Sequence, residues 1–333
     1  MSTFEYTGWV EQDGQIILPA KVERIFRESP DQIHSFGGEF SLSLDNCHAR
    51  DHFGIIPGPG PKGALVCNGE VKCLIEPDPA PCTLEEAIVT AVKLRSDDGV
   101  VALSGGVDSS LVAAIAKREC VAVGLEGSHD LAQARHAAEL LGLSCTEVEI
   151  TPDEIAAALP AVIAAIPKKD PVNTSIAVTQ YFISRWAGEH RYRRIITGQG
   201  ADELFGGYAR YLSSPCLEDD LARDFVGLEL QAQRDQAVAA LHGTYLSMPY
   251  LDVRVVRAAR AIPAHEKVKE GQRKIPLRKV AESHIPQELA GYGKKAMQYG
   301  SGVWGILQKL ARKNGYKTSM QDYIDHIGRV EHG

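Results

Sequence analysis

A chain of 333 residues, 44% hydrophobic and 24% charged, has the composition of an ordinary globular protein with room for two domains. The 36 basic and 43 acidic side chains leave a net charge of −7, which excludes a global basic field, so no nucleic-acid partner is expected. No apolar run is long enough to span a bilayer, and Met1–Tyr6 has no basic stretch leading into an apolar core; no membrane partner is expected and the chain reads as cytoplasmic.

In chain order, residues 1–80 alternate short β-like runs with turns: Gly14–Leu18, Glu39–Leu44, Ala64–Gly69 and Val71–Ile75, with a loop at Pro57–Gly63. Pro77–Cys82 reads as a linker, and Thr83-Leu-Glu-Glu opens a helix with a capping-box pattern. The boundary therefore falls near residue 80, giving a small β-rich domain 1–80 and a second domain 81–333. Beyond it the spacing predicts strands at 99–103, 121–125, 146–150 and 194–197, and helices at 83–94, 108–118, 130–142, 153–165 and 174–189. Alternating strands and helices imply an α/β fold with a parallel sheet flanked by helices. After about residue 215 the pattern is mostly helical. Seven cysteines, at 47, 67, 73, 82, 120, 145 and 216, form no Cys-x-x-Cys pair, which argues against zinc or iron–sulfur sites and fits reduced thiols.

Two of the predicted strands end in glycine-rich loops. Val100–Leu103 runs into Ser104-Gly-Gly-Val-Asp108-Ser109-Ser110 and then a helical apolar run. Adjacent glycines let backbone approach a ligand, and a helix start offers free N–H groups to an anion. Ser104, Ser109 and Ser110 add hydroxyls. Asp108 beside a phosphate would be repelled unless a divalent cation lay between them. The economical reading is a nucleotide site holding pyrophosphate and Mg²⁺; on the glycines alone, a plain strand–turn–helix corner stays open. The second loop, Thr197-Gly198-Gln199-Gly200-Ala-Asp202-Glu203, places two carboxylates where another helix starts. Asp108 and Asp202 could share one Mg²⁺.

The first loop resembles the PP-loop of the ATP pyrophosphatase superfamily. Gly198-Gln-Gly-Ala-Asp-Glu-Leu-Phe-Gly-Gly-Tyr208 resembles the Gly-Glu-Gly-Ser-Asp-Glu-Leu-Phe-Gly-Gly-Tyr signature of glutamine-hydrolysing asparagine synthetases. Val121–Leu131, Met248-Pro-Tyr-Leu-Asp252, Arg273-Lys-Ile-Pro-Leu-Arg278 and Gly293-Lys-Lys-Ala-Met-Gln-Tyr-Gly-Ser-Gly302 resemble further motifs of that family, in order. The resemblance implies a carboxylate, aspartate first, adenylated by ATP with loss of pyrophosphate and then attacked by ammonia. It implies ATP contacts at Leu103, Ser104, Gly105, Gly106, Asp108, Ser109, Ser110, Val123, Gly124, Gly198, Gln199 and Gly200. Asp108 and Asp202 would be the metal carboxylates, Lys294 (Lys295 in the adjacent register) the catalytic cation, and Glu203 the acid that helps deprotonate the amine. Small molecules (ATP, an amino acid and ammonia) are the expected partners, with a separate glutaminase and a homodimer also open.

The chain departs from the family in places. Residue 2 is Ser rather than the glutaminase nucleophile Cys, and the first cysteine is Cys47. Ile33–Leu44 and Ala49–Ile55 nevertheless resemble the last third of that glutaminase domain, so 1–80 reads as a shortened, inactive remnant. Asp170–Ile176 lacks an Arg that would clamp the acceptor carboxylate, and Gln199 replaces a Glu. Relatives that close a β-lactam ring by the same adenylation provide the alternative; a tRNA-modifying enzyme and a non-enzymatic scaffold rank lower.

Overall fold

From Leu84 to Ile196 strands and helices alternate as the spacing of apolar residues predicts. The structure, a computed structural model, describes residues 3–292 and 300–330. Its backbone divides into two units: Met1–Asp97 with Gln199–Glu229 and Ser247–Pro276, and Asp98–Gly198 with Leu230–Leu246 and Leu277–Gly333.

In the first unit, β1 (Glu5–Gln12), β2 (Gln15–Ile17), β3 (Gly37–Leu44), β4 (Cys47–Arg50), β5 (Ala64–Cys67) and β6 (Glu70–Leu74) form an antiparallel sheet in the order β2-β1-β3-β4-β5-β6. Its core contains Val10, Phe36, Phe40 and Leu42. The helix α1 (Pro19–Glu28) was not expected in this β-rich stretch; its buried stripe is only Val22, Ile25 and Phe26 among charged residues. The helix α2 (Leu84–Lys93) carries the expected capping box, with Thr83 and Glu86 bonded reciprocally. The β4–β5 register sets Cys47 opposite Cys67, and a disulfide joins them. This corrects the expectation of seven reduced thiols: only strand pairing makes neighbours of two residues 20 apart in sequence.

A buried ionic network ties this unit together. Glu39, with no exposed surface, accepts hydrogen bonds from Trp9 Nε1 (3.0 Å), Arg95 Nε (2.8 Å), the Met248 amide (2.8 Å) and the Ser247 hydroxyl. Arg95 also pairs with Asp252 at 3.1 Å, and its guanidinium lies over the Trp9 ring. Asp252 caps the helix Val253–Arg260. The Met248–Asp252 motif is thus a structural brace.

Asp51 is buried nearby, accepting the amides of Ile55, Ile56 and Phe40. Burial pushes its carboxyl up to about 6, the three amides pulling the other way and the charge of Glu39 adding to the rise. Between its ordinary value of 3.8 and about pH 6, the folded state holds a proton that the unfolded chain has released. The stability from this group is therefore whole below pH 3.8 and is lost as pH rises through 6. Urea unfolding should show wild type losing roughly 3 kcal/mol relative to Asp51→Asn between about pH 4 and pH 7. Parallel pH profiles for the two proteins would refute it.

In the second unit, β7 (Val100–Ala102), β8 (Cys120–Gly124), β9 (Cys145–Glu149), β10 (Arg194–Ile196) and β11 (Tyr245–Ser247) form a sheet in the order β11-β10-β7-β8-β9. The pairs β10–β7, β7–β8 and β8–β9 are parallel. The helices α3 (Val107–Ala116), α4 (His129–Leu141), α5 (Pro152–Ala165) and α6 (Pro171–Glu189) fall within about three residues of the predicted bounds. α6 begins early because Asp170 caps it and Pro171 fits its first turn. The edge strand β11 was not anticipated: it is one short strand in a stretch that is otherwise helical. Val100, Val121, Ile155, Phe182, Trp186 and Ile195 are among the core residues. Among the described residues no helix is long and apolar enough to cross a membrane.

Candidate active site

Strand order reverses between β7 and β10, so the crevice at their carboxyl ends is the place where such sheets take ligands. Both glycine-rich loops leave from these two strands. Leu103 extends β7, its amide bonded to Val121 O at 2.9 Å. Gly105 then turns with φ +73°, and a Cβ there would stand 2.5 Å from the carbonyl oxygen of Gln133 on α4, so glycine is required. The Ser104 amide donates to Ser109 Oγ (3.1 Å), the two hydroxyls meet at 2.9 Å, and Ser109 Oγ reaches Gly106 O at 3.3 Å. Gly106 is the N-cap of α3 and supplies no side-chain bond, so the first-turn N–H groups carry no side-chain cap. Asp108 is 9% exposed in that first turn, and Ser110 is buried with its hydroxyl unpartnered in the structure.

Gly198, at the end of the second loop's strand side, packs onto the first loop. A Cβ on it would lie 3.0 Å from both Asp108 Cβ and the Ser109 amide nitrogen. Val123 and Gly124 close the neighbouring strand β8 at the same edge of the sheet. The second unit thus brings together Leu103–Ser110, Val123, Gly124 and Gly198.

Gln199, Gly200, Asp202 and Glu203 belong to the first unit. Gly200 turns with φ +89° into the short helix α7 (Ala201–Phe205), over Leu251 and Tyr250 of the brace. Glu203 is 3% exposed and accepts a hydrogen bond from the Tyr208 phenol. Asp202 forms an ion pair with Lys274, Nζ to Oδ1 at 2.6 Å. Lys274 was absent from the expected site residues. The motif around it resembled a family element, but nothing in its spacing announced a partner in the second loop.

Lys294 and Lys295 lie outside the described residues. The described residues on either side are held at the start of α4. Tyr292 shares a hydrogen bond with His129 Nε2 (3.0 Å), Ser301 O accepts from the Leu125 amide (3.0 Å), and Gly300 abuts Asp130.

These residues are the motifs of one enzyme family, and the sequence comparison agrees: residues 83–239 and 223–326 match the profile of asparagine synthase. The chain belongs to the asparagine synthase family. Relatives in and around this family include a putative glutamine-hydrolysing asparagine synthetase 1 of Methanocaldococcus jannaschii, 31% identical over 290 residues, 74% of this chain and 53% of that protein. The carboxyethyl-arginine β-lactam synthase of Streptomyces clavuligerus is 28% identical over 264 residues, 77% and 50% respectively. Human glutamine-hydrolysing asparagine synthetase is 30% identical over 243 residues, 67% and 42%. The chain spans about half the length of the curated relatives it matches.

Proposed function

We propose that this chain is an ATP-dependent amide ligase. It adenylates a carboxylate, aspartate first, to an acyl-AMP with release of pyrophosphate, and then transfers the acyl group to ammonia with release of AMP. The observation that carries this reading is the departure of both glycine-rich loops from neighbouring strands at the reversal of strand order, with Gly198 of one against Asp108 and Ser109 of the other.

Ser104, Ser109, Ser110 and the first-turn amides of α3 bind the phosphates, which need donors preset for the charge that develops on leaving pyrophosphate. Leu103, Val123 and Gly124 border the nucleoside, and Gln199 and Gly200 line the second loop. Asp108 and Asp202 would hold magnesium, which when bound would neutralise triphosphate charge. Hard oxygen donors suit that ion, and Asp202 already carries a cation on Oδ1. Glu203, held by Tyr208, takes the proton from the attacking amine. Residues 1–80 act as an inactive glutaminase-like remnant within a cytoplasmic enzyme, so ammonia comes from solution or from a separate glutaminase.

Lys294 offsets repulsion between the acceptor carboxylate and the triphosphate. Lys294→Ala should lower turnover by about 10²-fold, the scale of one preorganised charge contact. Damage from Lys295→Ala instead would move that role by one residue.

The test is pyrophosphate release with ATP and Mg²⁺, with aspartate, with tRNA, and with no acceptor. Release that requires aspartate, an asparagine product with ammonium, and no product when glutamine replaces ammonium support the reading. Release only with tRNA, or none with any acid, overturns it. Ring closure within one substrate is a second reading, suggested by the β-lactam synthase among the relatives; an intermolecular amide rejects it.

A further inference from the structure

Lys274 is an unusual place for a cation. It is 8% exposed overall, whereas the carboxylate of Asp202 that it meets keeps 40% of its side-chain surface open. A buried ammonium is costly unless paired, and Asp202 Oδ1 stands 2.6 Å from it.

The chain holds this pair from three directions. Lys269 and Gln272 bond reciprocally around a tight turn in which Glu270 and Gly271 both have positive φ. Lys274 follows with φ +58°, a backbone conformation costly for a side-chain-bearing residue and kept only where its surroundings impose it. Arg273 donates to Gly207 O, clamping the hairpin to the second loop. Gly207 lies directly over the pair: a Cβ there would overlap both Asp202 Oδ1 and Lys274 Cε. The loop thus spends a glycine on keeping these two groups together.

We propose that Lys274 is a positioning residue that stands in for the metal on Asp202. It presets the carboxylate while no metal is bound and gives way when the metal arrives. The inference rests on the assignment of Asp202 as a metal carboxylate. Magnesium approaches its oxygens to about 2.0–2.1 Å, and an oxygen so engaged does not also keep a full ammonium contact. The ammonium and the metal therefore draw on one carboxylate, and whichever oxygen the metal takes, the neighbouring positive charge opposes it.

The experiment is Mn²⁺ binding to the full chain, read by electron paramagnetic resonance, with and without a non-hydrolysable ATP analogue, in wild type, Lys274→Met, Lys274→Gln, Asp202→Asn and the double variant Asp202→Asn/Lys274→Met. Circular dichroism confirms folding, and two Lys274 variants guard against one that fails to fold. Removal of the competitor should tighten Mn²⁺ binding without nucleotide about tenfold, the scale of a partly exposed ion pair. That gain should vanish in the double variant. A merely structural lysine would weaken binding or leave it unchanged, and either result in both Lys274 variants overturns the proposal. If Asp202→Asn leaves Mn²⁺ binding with the nucleotide analogue unchanged, the metal assignment itself falls, a result distinct from failure at Lys274 alone.

Discussion

Asp108→Ala is expected to lose pyrophosphate release by three orders of magnitude or more, the scale of removing a metal or oxyanion contact from the transition state, while Tm stays close to that of wild type. The side chain sits in the first turn of α3, 9% exposed, where an acidic residue gains only about 0.3–1 kcal/mol from the helix dipole. Alanine keeps the Cβ atom against which Gly198 has no room for a side chain. Function and folding should therefore separate at this position. The measurement is single-turnover pyrophosphate release at saturating ATP and Mg²⁺ beside a thermal melt. Turnover within tenfold of wild type would remove Asp108 from the metal, and with it the strongest element of the ligase reading.

Glu39→Ala should have the opposite signature: a large loss of stability from a residue remote in sequence from both loops. Four donors converge on the carboxylate, one of them the buried Arg95 guanidinium. Truncation strands a buried cation that also pairs with Asp252, and takes one acceptor from the Trp9 indole and the Met248 amide. Breaking a buried pair in this way costs about 3–5 kcal/mol. Urea unfolding followed by tryptophan fluorescence reads it, because Trp9 reports on the site. Glu39→Gln, which keeps the shape and one acceptor oxygen, should lose less. A loss below about 1 kcal/mol in the alanine variant would show that water or repacking satisfies the stranded donors.

Much of this architecture was legible in the chain itself. The strands β7 to β10 and the helices α2 to α6 lie where the spacing of apolar residues placed them, because a strand–helix alternation is written in short-range periods. Cap chemistry is equally local: Thr83 and Glu86, three residues apart, bond as expected, whereas the Asp170–Asn173 cap went unread and α6 starts three residues before its expected bound. The first loop was legible for the same reason, since Ser104 and Ser109 are five residues apart and Gly105 answers to a backbone angle. The helix α1 escaped although Val22, Ile25 and Phe26 stand at helical spacing, because the stretch around it reads as short strands and turns; β11 escaped as one short strand in a stretch otherwise helical.

The parallel sheet, the two glycine-bearing loops at its carboxyl edge and the family to which they belong are written in local signals, apolar spacing for the strands and helices and contiguous motifs for the loops. Packing at long range bonds Cys47 to Cys67, sets the Met248–Asp252 motif against Glu39 and Arg95, and rests Asp202 on Lys274. Glu39 meets Met248 across 209 positions of chain. Such pairings are set by strand register and by which side chains the packed elements trap together, and no local spacing records them.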